Sequence, residues 1–510
     1  MKQENGQLRA GIILNYINMG LGNLFPIFYT PIMLSLLGQS EYGLYKLASS
    51  MTSYLSLISM GLGSAITRYL IKAREEEGKE AEERMLGLFS VIFYMIAAAA
   101  LVIGIALTMN LHRWYGNSLT ATELSRMKIL VFLMVINMAL SFSQAPYLSV
   151  VTAHENFLFS QCMNILSTCV VPLLNLLVLY VGAASVGMAS VSLGMSVVSR
   201  EIYLVYVRKY MRIKPCYHGL PSHMIKDILG FSFWIFVSNV VGQLYNATDT
   251  VMIGMIPALA TTGVAVYNVG GTFNQIMFSV TIGVSSLLSP KTNRMVFQGT
   301  SNAELTDLAV RVGRIQGYIM VLIISGFIAF GQPFIYFYVG AEYAEAYWVA
   351  VLMMIPNMIP LVQSVCLNVV VAQNKHRFRA LMYLGIAVLN VIGTWFLMQY
   401  MGIVGAALMT GGALIFGQGF VMNWYYHNKT GLDMIRFWKQ LGPIYFVPFT
   451  MSIAAWMISK YINFYNVFAL LTGIFVYTVV YCILNWLFVM NRYEKQLIQR
   501  TLKPGRRTPI

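Results

Sequence analysis

The chain has 510 residues, of which 58% are hydrophobic and 10% are charged, whereas soluble proteins are about 25% charged. So few charged side chains cannot cover a water-soluble fold of this size, which excludes a soluble enzyme, a disulfide-rich secreted scaffold and a disordered chain. A net charge of +15 would suggest a nucleic-acid partner in a soluble domain. In a chain this apolar it predicts instead membrane lipids, an anionic membrane surface or an anionic substrate as partners, and no nucleic acid.

Apolar stretches of the length that crosses a bilayer, roughly 20 residues, recur along the whole chain. They predict an all-α integral membrane protein with about fourteen transmembrane helices, at 10–37, 47–67, 85–111, 129–152, 157–181, 184–205, 229–255, 262–288, 315–338, 347–372, 380–400, 403–426, 441–459 and 465–490. Gly182 and Met401-Gly402 interrupt the two longest uncharged stretches. We therefore expect a tight turn at each of these two places.

The distribution of Lys and Arg predicts the orientation of these spans. If the N-terminus is cytoplasmic, 29 of the 34 Lys and Arg residues fall on the inner side, which is the side that basic residues prefer. Both termini are then cytoplasmic. The inner charge block 72–84, KAREEEGKEAEER, is expected to be a solvated helical extension with paired charges.

A weak internal repeat accompanies this pattern. A shift of 222 residues places Tyr45 on Tyr267 and Gly61 on Gly283. Two similarly oriented halves predict two six-helix lobes, 1–214 and 215–430, related by a pseudo-two-fold axis along the membrane normal. Residues 431–510 then form two additional helices and a basic tail. Such repeats are typical of transporters, with the substrate site between the halves.

Motifs for catalysis are missing from the sequence. The six histidines have no metal-ligand spacing, and no GxxxxGK[ST] phosphate loop or nucleophile–base set is present. The five cysteines are scattered and contain no CxxC, which favours free thiols. We therefore predict a protein that is not an enzyme and that holds no metal and no cofactor.

Polar side chains inside apolar spans indicate function, because they are costly in lipid. In the seventh span Asn239, Gln243, Asn246 and Asp249 follow one another at helical spacing. The first and eighth spans carry further amides, at Asn18, Asn23, Asn268 and Gln275. These stripes predict either a water-filled, substrate-binding cavity or amide contacts that join helices.

Asp249 is the acid placed well inside a predicted span. A carboxylate in low dielectric is either protonated or paired with a cation. It is therefore a candidate for coupling to H⁺ or Na⁺, and the alternative is a structural carboxyl capped by neighbouring polar groups.

Basic residues near the inner ends of the spans are candidates for binding phosphate. Arg68 ends the second span, Lys291 and Arg294 end the eighth, and Arg311 and Arg314 follow. Together they predict an electrostatic funnel for a phosphate-bearing ligand. The alternative is ordinary anchoring of basic residues at the inner membrane surface.

Several glycine-patterned segments carry a family resemblance: LLGQSEYGLYKLASS (36–50), GLGSAITRYLIKAR (61–74), TDTVMIGMI (248–256), GVAVYN (263–268) and GIVGAALMT (402–410). With these segments and its span count, the chain resembles the bacterial polysaccharide flippases of the O-antigen and exopolysaccharide type. These carriers of lipid-linked oligosaccharides share a superfamily with multidrug and toxic-compound extrusion (MATE) transporters and lipid II flippases.

The resemblance implies a two-lobed carrier that moves undecaprenyl-diphosphate-linked oligosaccharides across the bacterial cytoplasmic membrane by alternating access. The family's cationic cavity and intramembrane acid would correspond to Arg68, Lys291, Arg294 and Asp249. A polysaccharide polymerase and a chain-length regulator would be its protein partners.

Three alternative functions remain open beside this one. A lipid II flippase is disfavoured, because the first span lacks the arginines of that family, and a MATE-like exporter, because its relatives usually have twelve spans. A membrane sugar polymerase is disfavoured by the short outer loops, of which 112–128 is the longest.

Overall fold

The protein is described by a computed structural model over residues 2–221, 224–373, 375–458 and 462–502. Within these residues the chain forms eighteen α-helices and no β-strand. The first nine are α1 (Lys2–Leu37), α2 (Gln39–Ser53), α3 (Leu62–Glu77), α4 (Lys79–Tyr115), α5 (Ala121–Ala153), α6 (Phe157–Tyr180), α7 (Ala184–Val205), α8 (Ile225–Asn246) and α9 (Thr248–Met255). The others are α10 (Ala260–Phe297), α11 (Asn302–Val339), α12 (Ala346–Val362), α13 (Ser364–Ala372), α14 (His376–Leu414), α15 (Met422–Thr430), α16 (Met434–Ile458), α17 (Val467–Leu484) and α18 (Arg492–Leu502).

Eight helices in the described part of the chain are long and apolar enough to cross a membrane, and two bent pairs raise this number to ten. One bent pair lies within α8, and the other is α12 with α13, which meet at an angle of 48°. The all-α membrane fold is thus confirmed. The count of fourteen spans stays a prediction.

Both predicted turns are confirmed. Gly182, with φ of 88°, lies between α6 and α7, and Gly402, with φ of 58°, breaks the long helix α14 into two parts. These φ values are in the left-handed region, which glycine enters without the steric cost of a Cβ atom. At both places an uncharged stretch that is too long for one membrane crossing is thus divided into two helices at a glycine.

The second predicted span, 47–67, is not one helix, and the expectation of a continuous span is wrong there. A 3₁₀ segment (Tyr54–Ser59) follows α2, and Met60 and Gly61 both have positive φ before α3 begins. A Cβ atom on Gly61 would lie 2.8 Å from the Ile235 side chain, so this turn packs closely against α8. Hydropathy cannot detect this break, because every residue around it is apolar or small.

The charge block forms the predicted helical extension. It lies on the end of α3 and the start of α4, which meet at Gly78. Lys72 with Glu76, at 3.9 Å, and Arg84 with Glu80, at 3.4 Å, form the expected pairs one helical turn apart. The connection between the predicted spans 262–288 and 315–338 is mostly helical as well, because α10 continues to Phe297 and α11 begins at Asn302.

Packing of the backbone divides the chain into two compact units. Unit 1 comprises residues 1–268 and 383–406, and unit 2 comprises residues 269–382 and 407–510. The predicted lobes 1–214 and 215–430 and the segment 431–510 stay a prediction.

Connections predicted for the inner side come together at one end of unit 1. His154 Nε2 lies 2.8 Å from Glu82 Oε1, and Arg74 donates a hydrogen bond to the Ala153 carbonyl at 3.2 Å. The Cys216 N–H donates to the Glu83 carbonyl at 2.9 Å, so the connection after α7 is bound to the start of α4. These contacts agree with the predicted alternation of spans within unit 1.

Candidate functional site

Asp249 lies where a membrane helix is interrupted. Helix α8 ends at Asn246, Ala247 separates it from α9, and Asp249 is in the first turn of α9. A carboxylate is favoured there by the free N–H groups and the dipole of the helix. The residue is 1% exposed. The interruption between α8 and α9 thus places a carboxyl group inside the protein and not on its surface.

Tyrosine side chains from other elements surround the start of α9. Tyr267, on α10, donates a short hydrogen bond to Asp249 Oδ2. The Tyr54 hydroxyl lies 2.5 Å from Thr248 Oγ1, and Tyr115, on α4, donates to the Val251 carbonyl at 3.1 Å. Neutral hydroxyl donors can hold a carboxyl group in either protonation state, which suits proton exchange.

The amides predicted on α8 form two kinds of contact. Gln243 accepts a hydrogen bond from Ser53 at 3.1 Å and donates one to Ser56 at 3.2 Å, so it joins α8 to the end of α2. Asn246 is exposed, and its amide donates to the Gly242 carbonyl at 2.8 Å. Gln243 therefore joins helices, whereas the Asn246 amide bonds to a carbonyl of its own helix.

Asn268 completes this polar group, called the α9 cluster below, which comprises Gln243, Asn246, Asp249, Tyr267 and Asn268. The Asn268 amide donates to Thr250 Oγ1 at 3.3 Å and to the Val264 carbonyl at 2.9 Å. Tyr267 and Asn268, both on α10, thus bond to two successive residues of α9, Asp249 and Thr250. All members of the cluster belong to unit 1.

Arg68, also in unit 1, is exposed on α3. Its guanidinium carbon lies 4.6 Å from the centroid of the Phe231 ring, on α8. A guanidinium that stacks on a ring keeps its N–H groups at the edge, where they can donate to a phosphate. Within the described residues, Arg68 has no carboxylate within ion-pair distance.

The remaining predicted site residues lie elsewhere. Lys291, Arg294 and Gln275 are exposed residues of α10 and belong to unit 2. Asn18, on α1, lies 3.4 Å from Gln161 Oε1 and accepts from Thr168 at 3.3 Å, so its amide joins α1 to α6. The side chain of Asn23 lies outside the described residues.

One predicted member of the cationic funnel has another role. Arg314 is 7% exposed inside α11, and its guanidinium pairs with Glu494 of α18. The funnel interpretation is therefore wrong for Arg314, since its N–H groups are already bound within the protein.

A polar network at the other end of unit 1 was not predicted. Glu123 caps the start of α5 by accepting from Thr120, and it accepts from Ser40 at 2.6 Å and from Thr261 at 3.0 Å. The Ser40 and Thr261 hydroxyls lie 3.1 Å apart. A Cβ atom on Gly43 would lie 1.8 Å from the Thr261 carbonyl oxygen, so only glycine allows this approach. We call Ser40, Gly43, Glu123 and Thr261 the outer network, because all four lie at the predicted outer side.

A sequence model described as "Polysaccharide biosynthesis protein" matches residues 8–290, more than half of the chain. No curated protein sequence matches the chain. The all-α fold is similar to that of three solved transporters, each below 20% sequence identity.

The first similar structure is the lipid II flippase MurJ in an inward closed conformation, with a TM-score of 0.72 and 16% identity over 93% of this chain and 98% of that one. The second is an inward-facing multidrug resistance MATE family transporter, with a TM-score of 0.68 and 12% identity over 81% of this chain and 94% of that one. The third is the Vibrio cholerae MATE transporter VcmN in the bent form, with a TM-score of 0.54 and 16% identity over 84% of this chain and 98% of that one. The chain is therefore a multi-pass membrane protein with the fold of these transporters.

Proposed function

Because the chain belongs to the polysaccharide biosynthesis protein family, we propose that it is a flippase for lipid-linked oligosaccharides, acting in the assembly of a cell-surface polysaccharide. Its substrate would be an undecaprenyl-diphosphate-linked repeat unit, which it moves across the cytoplasmic membrane by alternating access. The family implies a lipid-linked glycan. The observation that carries the transport step is the α9 cluster, where a buried carboxyl group and a row of amides occupy an interrupted membrane helix.

The physical problem for such a substrate is its headgroup. Sugar hydroxyls and a diphosphate cannot enter hydrocarbon without a large loss of hydration free energy. Amides and hydroxyls such as those of Asn246 and Asn268 offer replacement hydrogen bonds to sugars, while the polyprenyl chain stays in lipid. The protein thus needs polar groups along the path and hydrocarbon beside it.

Arg68 is the residue that we assign to the diphosphate. It lies on the predicted inner side, it is exposed, and its stacking on Phe231 orients the guanidinium without neutralising it. A guanidinium donates two parallel hydrogen bonds to phosphate oxygens. Lys291 and Arg294, on α10, are exposed as well and stay candidates for binding phosphate.

Asp249 is the residue that we assign to ion coupling. Protonation would turn the carboxylate into a neutral group and change its bond with Tyr267, which links α9 to α10. A change in this bond alters how the two helices pack, and so couples proton binding to conformation. Na⁺ is the alternative ion, which the same carboxylate would bind directly.

The outer network is the proposed gate on the far side of the membrane. Its hydrogen bonds join α2 and α5, from the predicted first lobe, to the start of α10, from the predicted second lobe. While these bonds persist, the path is closed toward the outside. Their loss would open it, so the network separates the two states of the cycle.

Orientation and partners complete the proposal. Both termini would be cytoplasmic, and a polymerase and a chain-length regulator would receive the translocated glycan.

A second candidate function, a cation-coupled multidrug exporter, is supported by the fold shared with the MATE transporters. A polymerase would need catalytic residues, and the α9 cluster contains no arrangement that suits glycosyl transfer.

The experiment that tests the proposal follows the sugar itself. A lipid-linked oligosaccharide is added to the outward-facing leaflet of inside-out vesicles that contain the protein. The accessibility of its sugar to a lectin outside the vesicle is then followed with time. A flippase makes the sugar disappear from the lectin-accessible side. If the sugar stays accessible while a fluorescent cationic drug is transported, the exporter is the correct function.

A further inference from the structure

Unit 2 contains a large cavity that plays no part in the proposal above. Its volume is about 1030 Å³, and it lies among α11, α12, α16 and the segment 462–465. Most of its lining is apolar or aromatic, for example Ile324, Trp348 and Phe449. All of the lining residues belong to unit 2, whereas the α9 cluster and Arg68 belong to unit 1.

Two smaller cavities adjoin this one and share lining residues with it. One, of about 430 Å³, shares Gln332, Trp348 and Tyr465 and extends to the segment 340–345. The other, of about 570 Å³, shares Ile462 and Phe464 and is almost entirely apolar. The segments 340–345 and 462–465 both lie on the predicted outer side. The cavity system therefore has a polar mouth near the outer membrane surface and an apolar interior.

The charge at this mouth restricts the ligand. Glu345 is the one charged residue among the described residues that line the three cavities, and it is exposed. A headgroup of net negative charge would meet this carboxylate with no Lys or Arg among the described lining residues to compensate, whereas the ammonium group of a zwitterion balances its own phosphate. A headgroup with an ammonium group would instead gain an ion pair and hydrogen bonds to Gln332 and Tyr465.

The interior favours a hydrocarbon chain over water. Trp348, Phe449 and Tyr465 are exposed, so the cavity opens at the surface of the protein, and its apolar wall offers water few of the two to four polar partners that it needs. An empty cavity loses dispersion contacts along its entire lining. A few hydrogen-bonding groups do face the cavity, and one of them, the buried Tyr445 hydroxyl, has no partner within the described part of the chain. Such a wall fits the chain and ester region of a lipid.

We propose that this cavity binds a phospholipid with an ammonium headgroup, phosphatidylethanolamine, from the outer leaflet. Its ammonium group lies beside Glu345, its ester region lies at Gln332 and Asn463, and one acyl chain fills the interior past Ser325 and Ala329. The site lies within unit 2, and the inference does not depend on the proposed function.

Three variants of the protein distinguish recognition of the lipid headgroup from recognition of the acyl chain. Glu345→Gln removes the charge at the mouth. Ala329→Phe fills the interior from α11, and Ser452→Phe fills it from α16, so that a folding defect of one variant does not decide the test. Glu342→Gln, a neighbouring exposed acid that does not line the cavities, is the matched control.

The measurement is native mass spectrometry of the purified protein with phosphatidylethanolamine, phosphatidylglycerol or a polyprenyl phosphate added in turn. We expect a preference for phosphatidylethanolamine that Glu345→Gln reduces by roughly threefold, as for one partly exposed ion pair. We expect either filling variant that folds to lose the bound lipid, and Glu342→Gln to behave as the parent protein. Equal binding of phosphatidylglycerol, tighter binding of the polyprenyl phosphate, or lipid retention in a folded filling variant would overturn the proposal. Flipping by the parent protein is a separate readout, so failure here leaves the proposed function untouched.

Discussion

Arg314 and Glu494 form a buried, two-pronged ion pair between α11 and α18. Arg314 Nε lies 2.5 Å from Glu494 Oε1, and Nη2 lies 3.0 Å from Oε2. Tyr318 donates to the same carboxylate at 3.1 Å, and the guanidinium also donates to the Gln440 and Val489 carbonyls. Glu494 therefore fixes α18 to α11, and the same guanidinium joins α11 to α16.

Removing that carboxylate should destabilise unit 2. Glu494→Gln leaves the Arg314 charge buried without its counter-ion, and the loss of one partner from a buried pair typically costs about 3–5 kcal/mol. Thermal unfolding in detergent checks this, with Glu75→Gln, an exposed pair to Arg74, as the control. Equal melting temperatures for the two variants would show that the pair contributes nothing to stability.

Arg68 should matter for transport and not for folding. Because it is exposed and stacks on a ring, Arg68→Gln should leave the membrane level unchanged. It should lower the rate of sugar translocation roughly tenfold or more, the effect of losing a charged hydrogen bond to phosphate. Arg84→Gln, another exposed basic residue of unit 1, serves as control. Full activity of Arg68→Gln would assign this residue to membrane anchoring alone.

Asp249 should set the dependence on an ion gradient. In proteoliposomes, Asp249→Asn should abolish the response of translocation to an imposed pH gradient, because the neutral amide cannot exchange a proton. Tyr267→Phe should weaken that response, since Tyr267 donates to the carboxyl group. Asp227→Asn, an exposed acid at the start of α8, should change nothing. A gradient response that persists in Asp249→Asn would place the coupling ion elsewhere.

Gly43 should be intolerant of any side chain. Gly43→Ala inserts a methyl group 1.8 Å from the Thr261 carbonyl oxygen, so α2 and the start of α10 must move apart. The cost of such overpacking is about 1–3 kcal/mol. Gly63→Ala is the control, because nothing lies within 4 Å of its added methyl group. Similar melting curves for the two alanine variants would contradict the close contact.

The sequence predicts the turns at Gly182 and Gly402 because hydropathy and glycine position are local signals. It also predicts the polar residues of α8, but not which of them join helices: Gln243 contacts Ser53 and Ser56 through a break at Met60 and Gly61 that only packing reveals. Charge counting predicts that Arg314 lies at the inner surface, because it does not detect a partner 180 residues away. Long-range pairs such as this one, and the outer network, depend on tertiary structure.

Alternating access through the outer network is the central claim, and a reversible cross-link between Ser40 and Thr261 tests it most directly. Their hydroxyls lie 3.1 Å apart, so Ser40→Cys with Thr261→Cys, in a protein without its five native cysteines, should form a disulfide. Asn274→Cys with Asn357→Cys is the matched control, a pair 3.2 Å apart within one predicted lobe. The account predicts that oxidation of the first pair stops sugar translocation, that reduction restores it, and that the control pair has no effect. Undiminished translocation with Ser40→Cys and Thr261→Cys fully cross-linked would contradict it.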